Sequence, residues 1–348
     1  MTALGVYTRY SDRGASSRLR YLCHADRLAQ NGFDAKFHTL FQNDYLDALY
    51  AGRPAKVKAV RGLGRRMLQM PPPEPALWIE YELLPGVPFA VEARMLAGKR
   101  FVLDFDDAVY LKYLGKPLLA DKFERLAARA AGIVTANDML LEHFAAHNAN
   151  TVKIPTAVDT KALAPGGEKF PRPTLVWIGT PVTCMAHLVP FSGIFRDLRR
   201  TLDFDLLVIG GVPCPALDFP GVKIVPWSTQ AERELVPKCH IGIMPLPADD
   251  AFAAGKSAYK LIQYLAAGIP AVASPVGENR VVLKDGGTGF FAASPADWRT
   301  ALLRLAGDPC LRAAMGENAR NEAQKYSCEA VFAKLAQFLS SALDLRAG

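Results

Sequence analysis

The 348 residues contain no G-x-G-x-x-G, no phosphate-binding P-loop, no G-x-S-x-G and no H-E-x-x-H. These absences set aside dinucleotide enzymes, kinases, common serine hydrolases and zinc proteases as first choices. Cysteine is scarce. Cys23, Cys184, Cys214, Cys239, Cys310 and Cys328 are scattered, with no C-x-x-C pair and no histidine at metal-ligand spacing. They read as small buried apolar residues in a reducing compartment, and no metal site is expected. Long apolar runs are lacking too. The stretch 261–273 is broken by Gly268 and Pro270, short of the roughly 18–20 residues that span a bilayer. The first residues, Leu4-Gly5-Val6-Tyr7, look like a strand and not like a basic-then-apolar leader, so a cytoplasmic location is expected.

What is present suits two α/β domains of roughly 150–180 residues each. Short β-branched runs alternate with helical patterns. Strands are expected at 4–8, 35–40, 77–81, 101–105 and 133–135, then at 174–178, 206–209, 223–225, 241–244 and 271–273. Helices are expected near 17–30, 88–96 and 121–130. This rhythm predicts parallel sheets covered by helices on both faces. It pauses over 155–173, a segment rich in Pro and Gly that reads as a linker. The expected organisation is therefore a Rossmann-like domain over 1–165, a second over 170–330, and a C-terminal helical segment, 331–348, that packs back on the first. The space between two such halves is the natural ligand site.

The formal net charge is +7. Part of the excess sits in Lys56, Lys58, Arg61, Arg65 and Arg66, interleaved with Val57, Val60, Leu63, Met67 and Leu68. At helical spacing this is a basic amphipathic stretch, which reads either as a peripheral contact with an anionic membrane at its inner face or as a solvated helix face. Gly62 and Gly64 weaken the helix. No aromatic stacking platform accompanies the basic residues, so nucleic acid is not an expected partner.

The most informative segment is 253–280, AAGKSAYKLIQYLAAGIPAVASPVGENR. Ser257 reads as an N-cap for a helix beginning about Ala258 and stopping at Gly268 and Pro270. A helix N-terminus can hold a diphosphate, and Lys256 and Lys260 flank this one. The plain alternative is two solvated lysines. Near the start of the chain, Gly14, Ser16, Ser17 and Arg18 form either a candidate anion-binding loop or a simple N-cap. Asp104, Asp106 and Asp107 cluster at the carboxyl end of a strand, and Glu82 is a further candidate.

This pattern resembles glycosyltransferase family 4, retaining enzymes of the GT-B fold. The resemblance also rests on His240-Ile241-Gly242-Ile243-Met244-Pro245-Leu246, on Pro275-Val276-Gly277-Glu278-Asn279-Arg280 and on Gly286-Gly287-Thr288-Gly289-Phe290. It is strong over about 170–330 and weaker over the first half, where Ser16–Arg20 and Asp104–Asp107 carry it. It implies two Rossmann-like domains facing each other across a central cleft, the second holding a nucleoside-diphosphate sugar and the first a glycan or glycolipid acceptor. It implies no cofactor and no metal, and a place in cell-surface polysaccharide synthesis. Donor contacts are expected for Gly255, Ser257, Gln263, Gly277, Glu278, Asn279, Arg280 and Thr180. Lys256 and Lys260 are expected to take over the charge role at the diphosphate, and Asp106, which falls where the resembled family often has a histidine touching the donor sugar, to bind sugar hydroxyls or orient the acceptor.

Two departures stand out. The family's paired glutamates fall on Gly255 and Gln263, and its Arg and Lys after the first strand of the second domain are absent from Gly179-Thr180-Pro181-Val182-Thr183. Two rival readings follow: a nucleotide-sugar epimerase of the same architecture, and a catalytically degenerate subunit that binds a glycan or supports a partner.

Overall fold

The computed structural model describes residues 3–345. Through residue 157 the elements are β1 (Ala3–Tyr10), α1 (Ala15–Arg20), α2 (Ala25–Gln30), β2 (Asp34–Phe41), α3 (Asn43–Tyr50), α4 (Lys56–Leu68), β3 (Ala76–Glu80), α5 (Phe89–Met95), β4 (Arg100–Phe105), α6 (Lys122–Ala127), β5 (Gly132–Thr135), α7 (Asp138–Ala145) and β6 (Thr151–Lys153). There follow β7 (Thr174–Ile178), the short turn α8 (Pro181–Thr183), α9 (Ser192–Leu198), β8 (Asp205–Ile209), β9 (Val222–Val225), α10 (Thr229–Leu235), β10 (Ile241–Met244), α11 (Ala251–Ala254) and α12 (Tyr259–Ala266). The chain ends with β11 (Ala271–Ala273), α13 (Asn279–Val282), β12 (Gly289–Phe291), α14 (Pro295–Gly307), α15 (Pro309–Ala323) and α16 (Cys328–Leu343).

Two six-stranded sheets result, ordered β2-β1-β3-β4-β5-β6 and β12-β11-β10-β7-β8-β9. Every strand pair is parallel. Central strands such as β3, β7 and β8 are buried along their whole length, which is why they read as continuous apolar runs. The edge strand β2 keeps its early residues partly exposed. In each sheet the strand order reverses once, between β1 and β3 in the first and between β7 and β10 in the second. The crevice outside the carboxyl ends at such a reversal is where doubly wound folds bind ligands.

By contacts the chain forms two units. Among the described residues the first holds 3–157, 255–257 and 328–345; the second holds 158–254 and 258–327. The Pro- and Gly-rich segment after 157 is pinned to the second unit. Val158 bridges Ser327, Arg320 donates to the Thr160 carbonyl at 2.7 Å, and Lys169 Nζ donates to the carbonyls of Pro237 and Cys239. These bonds turn the expected linker into part of the unit it precedes.

Strands β6 and β12 escape sequence reading because each is three residues long and lies at a sheet edge. The single helix expected over 17–30 is broken at Tyr21, whose ring packs on Trp78 with centroids 4.3 Å apart. Helix α4 forms despite its glycines. Gly62 is needed there, because a Cβ at that position would stand 2.8 Å from the Leu40 carbonyl oxygen. Cys310 is exposed, unlike the buried cysteine expected.

Helix α16 is buried on one face along Val331, Phe332, Leu335, Leu339 and Leu343, which join Leu4, Val6, Trp78, Val102 and Val134 in one core. It closes one face of the first sheet. Leu339 is fully buried, so Leu339→Ala is expected to destabilise the protein by about 2–5 kcal/mol. Urea unfolding followed by tryptophan fluorescence would register this as a lower midpoint.

Candidate active site

In the first unit, the carboxyl ends of β1, β3 and β4 carry a dense polar network. Asp104 is buried and saturated. Its Oδ1 lies 2.6 Å from Arg20 Nη2, and its Oδ2 accepts from Trp78 Nε1 at 3.1 Å. Arg20 in turn donates to the Ile154 carbonyl and Thr156. Asp104 therefore serves the core. Asp106, two residues on, accepts a hydrogen bond from the Tyr81 phenol. Asp107 lies 3.9 Å from Lys256 Nζ.

Glu82 is likewise absorbed by its neighbours. Its carboxylate pairs with Arg9 at 2.5 Å and Lys122 at 2.7 Å, and Tyr113 donates to it at 3.0 Å. Lys122 also pairs with Glu92 at 2.8 Å, and both are fully buried. This closed set of charges holds the β3 end and the start of α5 together, which corrects the reading of Glu82 as a ligand group. Glu80 Oε2 accepts from the Arg9 N–H at 2.7 Å and from the Ser17 hydroxyl at 2.6 Å. Its Oε1 has no partner among the described residues. Burial pushes the Glu80 carboxyl up to about 7, against the lowering effect of those two bonds.

The loop before α1 is thus less open than its sequence implies. Ser17 is buried between Glu80 and the Tyr10 N–H, to which it serves as acceptor. The Gly14 N–H is taken by the Ser11 carbonyl, and Arg18 donates to the Asp12 carbonyl. Helix α1 has only six residues. Ser16 keeps a half-buried hydroxyl, 3.3 Å from the Tyr81 oxygen. Internal bonding removes Ser17 from the candidate anion loop.

In the second unit the candidates gather around α12, at the β7/β10 reversal. Tyr264 anchors this helix, its phenol donating to the carbonyls of Val176 and Ile243. The helix begins at Tyr259, preceded by Ala258 at φ +52°, with no side-chain cap. Ser257 is therefore not the N-cap. Lys260 sits in the first turn with its ammonium 5.2 Å from the centre of the Trp177 ring. Gln263 is buried and its Nε2 has no partner among the described residues.

After β11, Gly277 adopts φ +50°. Glu278 and Asn279 are buried. The Asn279 amide donates to the Ser274 carbonyl at 3.0 Å, while its Oδ1 has no partner among the described residues. Arg280 is exposed. Thr180, after β7, closes a capping box with Thr183, and its own N–H is taken by the Thr183 hydroxyl at 2.9 Å.

Residues 172–308 match the family model of the glycosyl transferases, group 1. The matched segment falls in the second unit, apart from residues 255–257. A curated relative, D-inositol 3-phosphate glycosyltransferase of Corynebacterium kroppenstedtii, is 34% identical over 137 residues, which are 38% of this chain and 26% of that protein. The chain thus matches about a quarter of that relative's length. Among solved structures, sucrose-phosphate synthase from Thermosynechococcus elongatus superposes with a TM-score of 0.67 at 12% identity, over 99% of this chain and 100% of that one. Anabaena HepE in complex with UDP gives 0.62 at 14% identity, over 98% and 100%. At such identities the likeness speaks for the fold, which is GT-B.

Within the matched segment Gln263 lies on α12, where the resemblance puts a second glutamate. Gly255, the other departure, groups with the first unit. A Cβ there would stand 2.5 Å from the Ala108 Cβ. Its carbonyl accepts from the Asn137 amide at 2.8 Å. No carboxylate side chain fits this position as the backbone stands. Lys256 follows it and leans toward Asp107. The residues that sequence reasoning missed are Arg9, Glu80, Tyr81, Glu92 and Lys122. Arg9, Glu80 and Tyr81 stand at strand ends and Glu92 and Lys122 on α5 and α6, and only the fold brings these charged and phenolic side chains together.

Glu80 supplies a pH test. Its folded pKa stands above its ordinary value near 4.5, so the folded state holds this proton more tightly than the unfolded chain. Stability from Glu80 is complete below pH 4.5 and is lost as pH rises to about 7, by on the order of 3 kcal/mol at most. Glu80→Gln should flatten this part of the Tm profile between pH 5 and 8. An unchanged slope in the variant would assign the pH dependence to other groups.

Proposed function

We propose that this protein transfers a sugar from a nucleoside-diphosphate sugar to a hydroxyl of a glycan or glycolipid, with retention at the anomeric carbon and without a metal. The observation that carries this reading is α12. Its N-terminal turn lies at the strand-order reversal of a group 1 glycosyl transferase domain, with Lys260 in that turn and a buried amide, Gln263, one turn on. A helix N-terminus and a fixed cation are what a departing diphosphate needs.

In this reading the bond from the anomeric carbon to the diphosphate breaks while the acceptor oxygen bonds to the same face. The acceptor proton passes to a departing phosphate oxygen. Lys260, Lys256 and Arg280 offset the growing charge. Gln263 hydrogen-bonds a ribose hydroxyl as a neutral partner. The loop Gly277–Arg280 and Thr180 border the donor, Ser257 lies beside it, and Asp106 binds sugar hydroxyls or orients the acceptor. Gly14, Ser16 and Arg18 border the acceptor.

Binding is tested by a thermal-shift screen against UDP, GDP, ADP and CMP. One base should raise Tm, since a ligand at 100 times its Kd adds about 2.7 kcal/mol to the folded state. Lys260→Ala should lose most of that shift. Free nucleoside diphosphate should then appear only when acceptor is present, which an epimerase would not require. No shift with any nucleotide would sink the transferase reading and favour a non-catalytic subunit.

The acceptor in this reading is tethered to a membrane. Helix α4 exposes Val57, Val60, Met67 and Leu68 on one face, with relative exposures of 81%, 69%, 44% and 89%. Its 13 residues include Lys56, Lys58, Arg61 and Arg65 and no acid. Apolar residues on a basic helix suit an anionic bilayer surface. Among the described residues no helix is long and apolar enough to cross a membrane. The protein should float with vesicles rich in phosphatidylglycerol and not with neutral ones. Val60→Glu with Leu68→Glu should cut that binding about tenfold or more.

A further inference from the structure

Tyr81 is the residue whose placement the transferase reading leaves unexplained. It follows β3 directly and adopts φ +60°, a conformation costing a non-glycine residue on the order of 1–3 kcal/mol. The turn is closed on both sides. The Glu82 N–H donates to the Glu80 carbonyl at 2.7 Å, and the Tyr81 N–H donates to the Asp104 carbonyl at 3.1 Å. The ring is buried, tilted against Phe105 at 5.8 Å, with the Arg9 guanidinium 4.9 Å from its centre. Arg9 is itself fixed by Glu82. All these contacts aim one group, the phenol, at Asp106 Oδ1. The Ser16 hydroxyl lies 3.3 Å from the same phenol oxygen.

A phenol has a single proton to give. Shared between a neutral hydroxyl and a carboxylate, it goes to the carboxylate, where the bond is about twice as strong. Burial holds the Tyr81 hydroxyl well above its ordinary pKa, with Asp106 adding to the effect, so the phenol remains a donor. Asp106 has no second hydrogen-bond partner among the described residues. With Oδ1 taken, Oδ2 is left to meet a ligand.

We propose that Tyr81 is a positioning residue for Asp106: its strained turn and pinned ring fix one carboxylate oxygen so that the other faces the sugar. This rests on the reading of the protein as a transferase in which Asp106 contacts substrate. It explains why a turn that glycine or asparagine would adopt at lower cost carries a tyrosine instead.

The test is a double-mutant cycle with Tyr81→Phe, which keeps the ring, and Asp106→Asn. Tyr81→Phe should lower kcat about 10- to 100-fold with donor KM changed less than twofold. The double variant should be no slower than Asp106→Asn alone, because the phenol acts through the carboxylate. A separate cycle, read by urea unfolding, needs no substrate. It should show the two side chains coupled by at least threefold in the unfolding equilibrium constant. An unchanged kcat in Tyr81→Phe, losses that multiply in the double variant, or an uncoupled unfolding cycle would each overturn the proposal. Full activity in Asp106→Asn, or no transfer by the native protein, would instead bring down the reading beneath it, and the proposal with it.

Discussion

A parallel sheet covered on both faces leaves its polar side chains few routes to solvent, chiefly the ends of its strands. The first unit obeys this constraint closely. Asp104 lies within β4 and must find Arg20 and Trp78 in the interior. Glu82 and Glu92 must find Arg9 and Lys122. Two acids and two bases in that second set balance to zero, and removing one member leaves a buried charge, at a cost of about 3–5 kcal/mol. Such residues are tied to the fold and unavailable to a ligand. Past the strand ends lies a smaller set, Asp106 among them, that this pairing does not take up.

The second unit meets the same constraint with a helix. Leu261, Ile262, Tyr264 and Leu265 bury α12 against the sheet, and the Tyr264 phenol ties it to two strand carbonyls. Packing thereby sets where the first turn lies. Lys260 in that turn opposes the helix dipole, and the nearby Trp177 ring offsets part of the conflict through its π face. An anion held there would ease the conflict further. The position of the helix is a matter of packing, and its chemistry follows from which end the packing leaves at the strand-order reversal.

The alternation of strands and helices was legible because fully buried strands such as β7 and β8 can only be apolar runs. The short edge strands β6 and β12 were not, since three residues carry no period. At the site, the sequence offered Asp106 as a candidate but could not separate it from Asp104 and Glu82, which carry the same carboxylate. The difference lies in partners far away in sequence. Arg20 reaches Asp104 across 84 residues and Ser17 reaches Glu80 across 63. Tyr81 was missed for the same reason, because nothing local announces a positive φ at a tyrosine.

The two departures from the resembled family answer each other. Gly255 and Gln263 stand where that family has two carboxylates, so two negative charges are gone. The loop Gly179–Thr183 lacks the Arg and Lys that the family sets against the diphosphate, so two positive charges are gone as well. The losses are equal in charge, and of these positions Gln263 and the loop Gly179–Thr183 belong to the second unit. A neutral amide at 263 also costs less to bury than a carboxylate, in keeping with a residue that is 2% exposed and whose Nε2 lacks a partner among the described residues.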